Sequence, residues 1–180
     1  MAIEEKNAIE LIDSVTVTSG DTSANLSGMD DRGTYLLIFN NLVDTDDAGS
    51  LYMNLTYNDN DQVLRTVTHF AGRQLVNGTN SNQSVKSTFN RLQNYGNTGS
   101  SYITNGYAYL YQLEDSTEQK QNRFSYQGNV VSYNDTNLVS HDIYAQDSYY
   151  QFSVNGIKLF PSSGAWESGE FKLYKLRIAS

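Results

Sequence analysis

The residue types most often responsible for catalysis are scarce in this chain. Its two histidines, His69 and His141, lie in a strand-like run and in a polar stretch, and neither has the HxH or HExxH spacing of a metal site. The sequence has no cysteine to act as a thiol nucleophile, and its serines form no GxSxG motif of a Ser-His-Asp hydrolase. We therefore expect a protein that is not an enzyme and that carries no cofactor.

Acidic residues are the other candidates for chemistry, because carboxylates bind calcium and, in facing pairs, hydrolyse glycosides. Three acidic clusters occur, at Asp30-Asp31, Asp44–Asp47 and Asp59–Asp61. None completes the D-x-D-x-D-G…E pattern of a calcium loop, and 20 acidic residues make chance pairs of carboxylates unavoidable. Asp and Asn side chains also form hydrogen bonds with nearby backbone groups in turns. We favour solvated turns, and so predict no catalytic and no metal-binding residue, with a calcium loop as the alternative.

Tyrosine is the commonest aromatic residue, with 14 copies beside 7 phenylalanines. A buried aromatic ring removes on the order of 150–250 Å² from water, so the composition predicts a core rich in tyrosine. Other tyrosines stand in polar runs, at positions 95, 102, 126, 133 and 149. Such side chains suit subunit interfaces and carbohydrate stacking alike. We favour the interface and keep the glycan site as the alternative.

Net charge and hydropathy argue against two classes of partner. The chain of 180 residues has a net charge of −8 and no run of Lys or Arg, which opposes binding to nucleic acid and to anionic membranes. No apolar stretch reaches the 18 residues of a membrane helix, and the start MAIEEKNAIELID lacks the pattern of a signal peptide. We expect no nucleic-acid partner and no membrane partner. The lack of cysteine is compatible with assembly in a reducing cytoplasm.

The elements that would position any site are strands. The segment Tyr35–Tyr57 holds two β-patterned runs on either side of an acidic loop, and it predicts an antiparallel pair. The first run is apolar on both of its faces, which is typical of a central strand. A third run, from Val63 to Gly72, would extend the pair into a meander.

Several further strands are predicted, at Ile9–Thr18, Ser101–Leu113, Tyr149–Phe160 and the closing GEFKLYKLRIAS, with edge-like ones at Asn122–Val131 and Leu138–Ala145. Between them, Arg73–Ser100 has little periodicity and predicts a long loop with a helical turn near Ser84–Gln93. The fold class that follows is all-β, an antiparallel two-sheet sandwich of jelly-roll type. Residues 1–8 are predicted to form a short N-terminal arm, and residues 9–180 a single β-sandwich domain.

Three stretches of the chain carry a family resemblance. They are the opening AIELIDSVTVTSGDTSANLSGMDDRGTYLLIFNNLVDTDDAGSLYMNLTYNDND, the later AYLYQL and the closing SSGAWESGEFKLYKLR. Together they resemble the small β-sandwich virion proteins of marine and cyanobacterial tailed phages, although Lys175 stands where a glycine is commoner in that group. The stretches from Arg73 to Ser101 and from Glu114 to Ser148 lie outside the resemblance.

The resemblance implies a structural protein on the surface of a virion, made in the host cytoplasm. We favour a capsid decoration (cement) protein that binds the major capsid protein as a homotrimer and stabilises the shell, because the chain is short and has no fibre-like shaft. A tail-fibre or appendage subunit that binds a host-surface glycan is the alternative. The arm and the long loop would supply the partner contacts, through Ile3, Glu4, Glu5, Phe89, Leu92 and Tyr95.

Overall fold

Strands make up the regular structure of the residues that the computed structural model describes, which are 9–30, 33–45, 50–57, 60–61, 68–76, 79–87, 90–92, 102–113, 122–133, 138–150 and 154–177. Thirteen strands lie within these ranges: β1 Ile9–Thr18, β2 Ala24–Ser27, β3 Gly33–Asp44, β4 Leu51–Tyr57, β5 Asn60–Asp61, β6 Thr68–Val76, β7 Thr79–Ser87, β8 Asn90–Arg91, β9 Ile103–Leu113, β10 Asn122–Tyr133, β11 Leu138–Tyr150, β12 Gly156–Pro161 and β13 Trp166–Leu176.

These strands form two antiparallel sheets. The large sheet has eight strands in the order β1-β13-β3-β9-β10-β11-β6-β7. The small sheet has five, with the order β2-β12-β4-β5 and with β8 also paired to β4. This arrangement confirms the predicted all-β fold of two antiparallel sheets. The jelly-roll connectivity and the single domain over residues 9–180 stay predictions, and the predicted arm lies outside the described residues.

One core cluster draws on both sheets. In β3 the alternation places Tyr35, Leu37 and Phe39 inward, each with no exposed surface. The small sheet supplies apolar residues of β4 and β12 to the same cluster, which include Met53, Leu55, Ile157 and Leu159. Phe171 of β13 packs against Phe39 and Trp166, with ring centroids 6.3 Å and 5.6 Å apart. The two sheets therefore enclose a shared apolar layer.

The predicted pairing within Tyr35–Tyr57 is wrong, because β3 and β4 belong to different sheets. Strand β3 pairs instead with β13 and β9, both distant in sequence. After β3, Thr45 N–H donates to the Ala165 carbonyl at 2.9 Å, which ties the exit of β3 to the start of β13. The acidic loop thus carries the chain from one sheet to the other. The position of β3 inside the large sheet agrees with a central strand.

The predicted long loop at Arg73–Ser100 is also wrong over most of its described residues. Residues 68–76 and 79–87 form the antiparallel pair β6-β7, and β7 occupies part of the predicted helical turn. The meander is wrong as well, since β6 pairs with β11. Strands β10 and β11 lie inside the large sheet and are not edges. Polar strands such as these form because each backbone pairs on both sides, which their weak apolar periodicity does not reveal.

The run predicted as one strand over Tyr149–Phe160 is divided between the sheets. Strand β11 of the large sheet ends at Tyr150, and β12 of the small sheet begins at Gly156. The predicted tyrosine-rich core is limited too. Among the tyrosines whose burial the structure describes, Tyr35 and Tyr126 belong to the core cluster.

Strands β1 and β2 are edge strands of the large and the small sheet, and two carboxylates accept hydrogen bonds from N–H groups of these strands. Asp13 Oδ1 accepts from the Ser14 N–H at 2.8 Å, and Asp13 Oδ2 accepts from the Ser27 N–H at 2.7 Å. Asp21 Oδ2 accepts from the Thr18 N–H at 2.8 Å. Because unpaired edge amides are templates for another strand, these carboxylates protect the edge from unplanned pairing.

Candidate binding surface on the large sheet

Strand β9 presents a row of tyrosines on the outside of the large sheet. Its inward residues, Ala108 and Leu110, have no exposed surface. Successive side chains of a strand point to opposite faces, so Tyr107, Tyr109 and Tyr111 lie on the outer face. Of these, Tyr107 is 44% exposed. Tyrosines thus occupy the outer face of β9, where a strand with one solvent-facing side usually carries polar residues.

Cross-strand pairing extends this row into a continuous apolar surface. Directly opposed residues of an antiparallel pair share a face. One row across the sheet runs through Leu11, Tyr174, Leu36 and Tyr109. The next row joins Ile38 to Tyr107. We call this surface the tyrosine face and define it by Leu11, Leu36, Ile38, Tyr107, Tyr109 and Tyr174.

The tyrosine face is accessible to a partner. Leu11 is 51% exposed, and the neighbouring Ile9 on the same edge strand is 52% exposed. Contiguous exposed apolar surface of this kind marks interaction sites in folded proteins, whereas single exposed apolar residues are ordinary. The sheet pairing makes these residues contiguous, which favours an interaction site.

A groove of about 430 Å³ lies within the tyrosine face, between β3 and β9. It is lined by Leu36, Ile38, Asn40, Gly106, Tyr107 and Tyr109. The two tyrosine rings meet edge to face, with centroids 5.9 Å apart and planes at 77°. This geometry is favourable between aromatic rings and holds both in place without a ligand. The volume falls in the range of small-molecule sites.

The floor of the groove is set by the core beneath it. Gly106 belongs to the inward set of β9, and a Cβ there would lie 2.5 Å from Phe39 Cζ and 2.8 Å from the Asn129 carbonyl oxygen. A Cβ at Gly128, on the neighbouring strand, would collide with the Tyr107 carbonyl oxygen. Glycine at these positions lets the backbone of β9 lie close to β3 and β10. The strand that carries Tyr107 and Tyr109 is therefore held in a fixed position.

One end of the groove is shaped by an irregularity in β3. The register between β3 and β9 shifts between Phe39 and Leu42. Within this bulge Asn41 has a φ of 51°, and its N–H donates to Asn105 Oδ1 at 2.8 Å. Asparagine tolerates this left-handed conformation better than most residues. Asn40, which also lines the groove, lies within the same irregular part of β3.

Polar side chains border the aromatic part of the face. Gln127 Nε2 donates to Tyr111 Oη at 3.0 Å. In the row of Tyr107, Asn129 is the neighbour on β10, and its Nδ2 donates to Ser140 Oγ at 3.3 Å. The surface therefore combines rings with amides and hydroxyls, which is the composition of sites that bind polar organic ligands.

Charged side chains at the border of the face are paired. Lys172, the cross-strand neighbour of Ile38, lies 2.8 Å from Glu170 Oε2, and this hydrogen bond raises the pKa of Lys172 above its ordinary value of 10.5. Arg177 Nη2 lies 2.5 Å from Glu10 Oε2 at the opposite corner. The local charge is therefore balanced, although the chain as a whole carries −8.

Of the residues predicted as partner contacts, the structure describes Leu92. Leu92 has no exposed surface and is part of the core cluster, and its N–H donates to the Leu51 carbonyl at 2.8 Å. The other five lie outside the described residues: Ile3, Glu4, Glu5, Phe89 and Tyr95. A partner role for this set stays a prediction.

Among the tyrosines named as candidates from the sequence, Tyr133 is 43% exposed and Tyr126 is 1% exposed. Tyr102 is half-buried, and Tyr95 and Tyr149 have no described side chain. The groove residues Leu36 and Ile38 were missed because their apolar side chains are typical of a buried strand. The Tyr-x-Tyr-x-Tyr alternation of β9 was the available signal.

Within the residues that the structure describes, no group of three or more His, Cys, Asp or Glu side chains has an arrangement that could hold a metal ion. Nor does any helix of the described ranges have the length and hydropathy to cross a membrane.

No protein-family model and no curated protein matches this chain. Among solved structures it is similar to the CBM2 module of the evolved Dit of Lactobacillus casei BL23 phage J-1. The identity is 11% and the TM-score is 0.27, over 92% of this chain and 77% of that one. These values assign no family. The function proposed below is argued from the tyrosine face and from the sequence.

Proposed function

We propose that this protein is a non-enzymatic structural component of a phage particle and that it acts by binding a partner through the tyrosine face. The observation that carries the binding role is the contiguous exposed apolar surface with its groove between β3 and β9. The phage context rests on the sequence resemblance described above, which spans three of the four strands that build this face, β1, β3 and β13, and part of the fourth, β9.

Capsid decoration remains the preferred position on the particle. In this role the tyrosine face would contact the major capsid protein, and a trimer would bring several such faces to one junction of the shell.

A tail appendage that binds host glycan is the second candidate. The exposed rings of Tyr107 and Tyr109 beside the amide of Asn40 favour it, because aromatic faces with a few convergent polar groups suit sugars. The two positions predict different copy numbers, hundreds on a capsid and few on a tail.

The test is incorporation into particles. Wild-type protein and the Tyr107→Ala variant would be supplied to particles that lack the protein, and copies per particle would be counted by quantitative mass spectrometry. Tyr133→Ala is the matched control, because Tyr133 has the same exposure as Tyr107 but does not line the groove. Loss of incorporation with Tyr107→Ala alone supports the proposal. Wild-type protein that never associates with particles, or equal incorporation of all three proteins, would overturn it.

A further inference from the structure

We propose that the occupant of the groove is a neutral glycan chain. This inference rests on the proposed function, because it names the ligand class of the same tyrosine face. It belongs to the second candidate, the tail appendage, because a tyrosine face covered by the major capsid protein would leave no room for a glycan.

The walls of the groove are amphipathic in the manner that a sugar requires. A pyranose ring presents C–H groups on its faces and hydroxyls around its rim. The aromatic rings of Tyr107 and Tyr109 and the side chains of Leu36 and Ile38 offer apolar contact to the C–H faces. The Asn40 amide and the tyrosine hydroxyls can donate to and accept from sugar hydroxyls. Lipid tails would leave these polar groups without partners.

Charge argues for a neutral ligand. Lys172, in the row of Ile38 and Tyr107, is paired with Glu170 at 2.8 Å. An anionic polymer would have to compete with that carboxylate for the ammonium and would also approach a chain of net charge −8. A cationic ligand finds no carboxylate in the lining of the groove. An uncharged ligand neither competes with Glu170 for the Lys172 ammonium nor needs a carboxylate in the lining of the groove.

Size disfavours a second copy of this chain as the occupant of the groove. A groove of about 430 Å³ suits a small molecule or a short segment of a polymer. A stable dimer instead needs roughly 800 Å² of surface from each partner.

The test is affinity electrophoresis of the purified protein in gels that contain single polysaccharides. The neutral probes are dextran, laminarin, xylan and galactomannan, and alginate is the anionic comparator. We expect retardation by at least one neutral polymer and none by alginate. Tyr107→Ala should weaken the affinity by about tenfold or more through loss of a stacking ring. Tyr107→Phe should keep most of the affinity, and Tyr133→Ala should leave it within about twofold.

Several results would overturn the inference: no retardation by any neutral polymer, retardation by alginate alone, or equal losses in the Tyr107→Ala and Tyr133→Ala variants. Self-association in sedimentation that Tyr107→Ala abolishes would also overturn it, in favour of a second copy. Circular dichroism of each variant checks that the sheets are intact.

Particle incorporation, measured in parallel, separates this inference from the proposed function. If Tyr107→Ala loses incorporation while wild-type protein binds no neutral glycan, the proposed function stands and the glycan inference falls. If wild-type protein binds glycan but never joins particles, the glycan inference stands alone.

Discussion

A Cβ atom on Gly106 would lie 2.5 Å from Cζ of Phe39, a distance at which one of the two residues must move. Phe39 has no exposed surface and belongs to the core, whereas Gly106 lines the groove on the outer side. This contact links the stability of the sandwich to the shape of the candidate binding surface.

Gly106→Ala should therefore destabilise the protein. Overpacking of a filled core typically costs about 1–3 kcal/mol, and we expect a loss of this size in the free energy of unfolding from urea titration. Phe39→Leu removes the colliding ring atoms, so the double variant should lose less than the sum of the two single losses. Strict additivity would show that the contact does not constrain the strand.

Tyr35→Phe tests whether the Tyr35 hydroxyl holds the backbone of Asp30 in place. Tyr35 Oη accepts from the Asp30 N–H at 2.7 Å and donates to the Asp30 carbonyl at 3.3 Å. Removing the hydroxyl should lower the free energy of unfolding by about 1–2 kcal/mol, because a part-buried backbone donor loses its partner. Tyr111→Phe, which loses an exposed bond to Gln127, is the control and should cost less. Equal costs would contradict the anchoring role.

The ion pair of Lys175 with Asp30 predicts a particular dependence on pH. The hydrogen bond to Asp30 raises the pKa of Lys175 above 10.5 in the folded protein. The stabilisation is thus fully present below the ordinary lysine value and is lost as pH rises through the higher folded value. Both partners are partly exposed, so the contribution should be about 0–1 kcal/mol.

The measurement is the difference in free energy of unfolding between wild type and Lys175→Met, from about pH 8 to about pH 12. The difference should stay constant up to about pH 10.5 and then shrink. A difference that grows with rising pH would contradict the assignment.

Asp13→Ala tests the protection of the edge strand. The substitution removes acceptors from the N–H groups of Ser14 and Ser27. We expect a loss of about 1–2 kcal/mol in the free energy of unfolding, and faster aggregation measured by light scattering, since an edge amide becomes available to another strand. Glu10→Gln, which weakens the exposed pair with Arg177, is the control. Its expected cost is at most about 1 kcal/mol. Aggregation at the same rate in both variants would argue against the protective role.

The sequence predicted strands well where the apolar alternation is strong. Strands β1, β9 and β13 lie close to their predicted positions, because residues such as Phe171 and Leu173 alternate clearly with polar ones. Pairing was predicted poorly. Strand β3 pairs with β13 and β9 through contacts that are distant in the chain, and local turn signals after Asp44 carry no information about them.

The residues of the candidate surface could be predicted only in part from the sequence. The alternation placed Tyr107 and Tyr109 on one face and Ala108 and Leu110 on the other, but residue type favours tyrosine in the core. The structure reverses this because the inner side of β9 lies against Phe39, which leaves room only for small residues near Gly106. Such a constraint comes from a partner strand and is invisible in the sequence of β9 itself.

The alternation of β9 also affects how this surface can evolve. Inward positions at 106, 108 and 110 are fixed by the core, whereas outward positions at 107, 109 and 111 face solvent. A substitution at an outward position therefore alters the proposed binding surface at little cost to folding. Under the proposed function, descendants of this chain could diversify their ligand preference through a few such positions, while the strands beneath them are inherited unchanged.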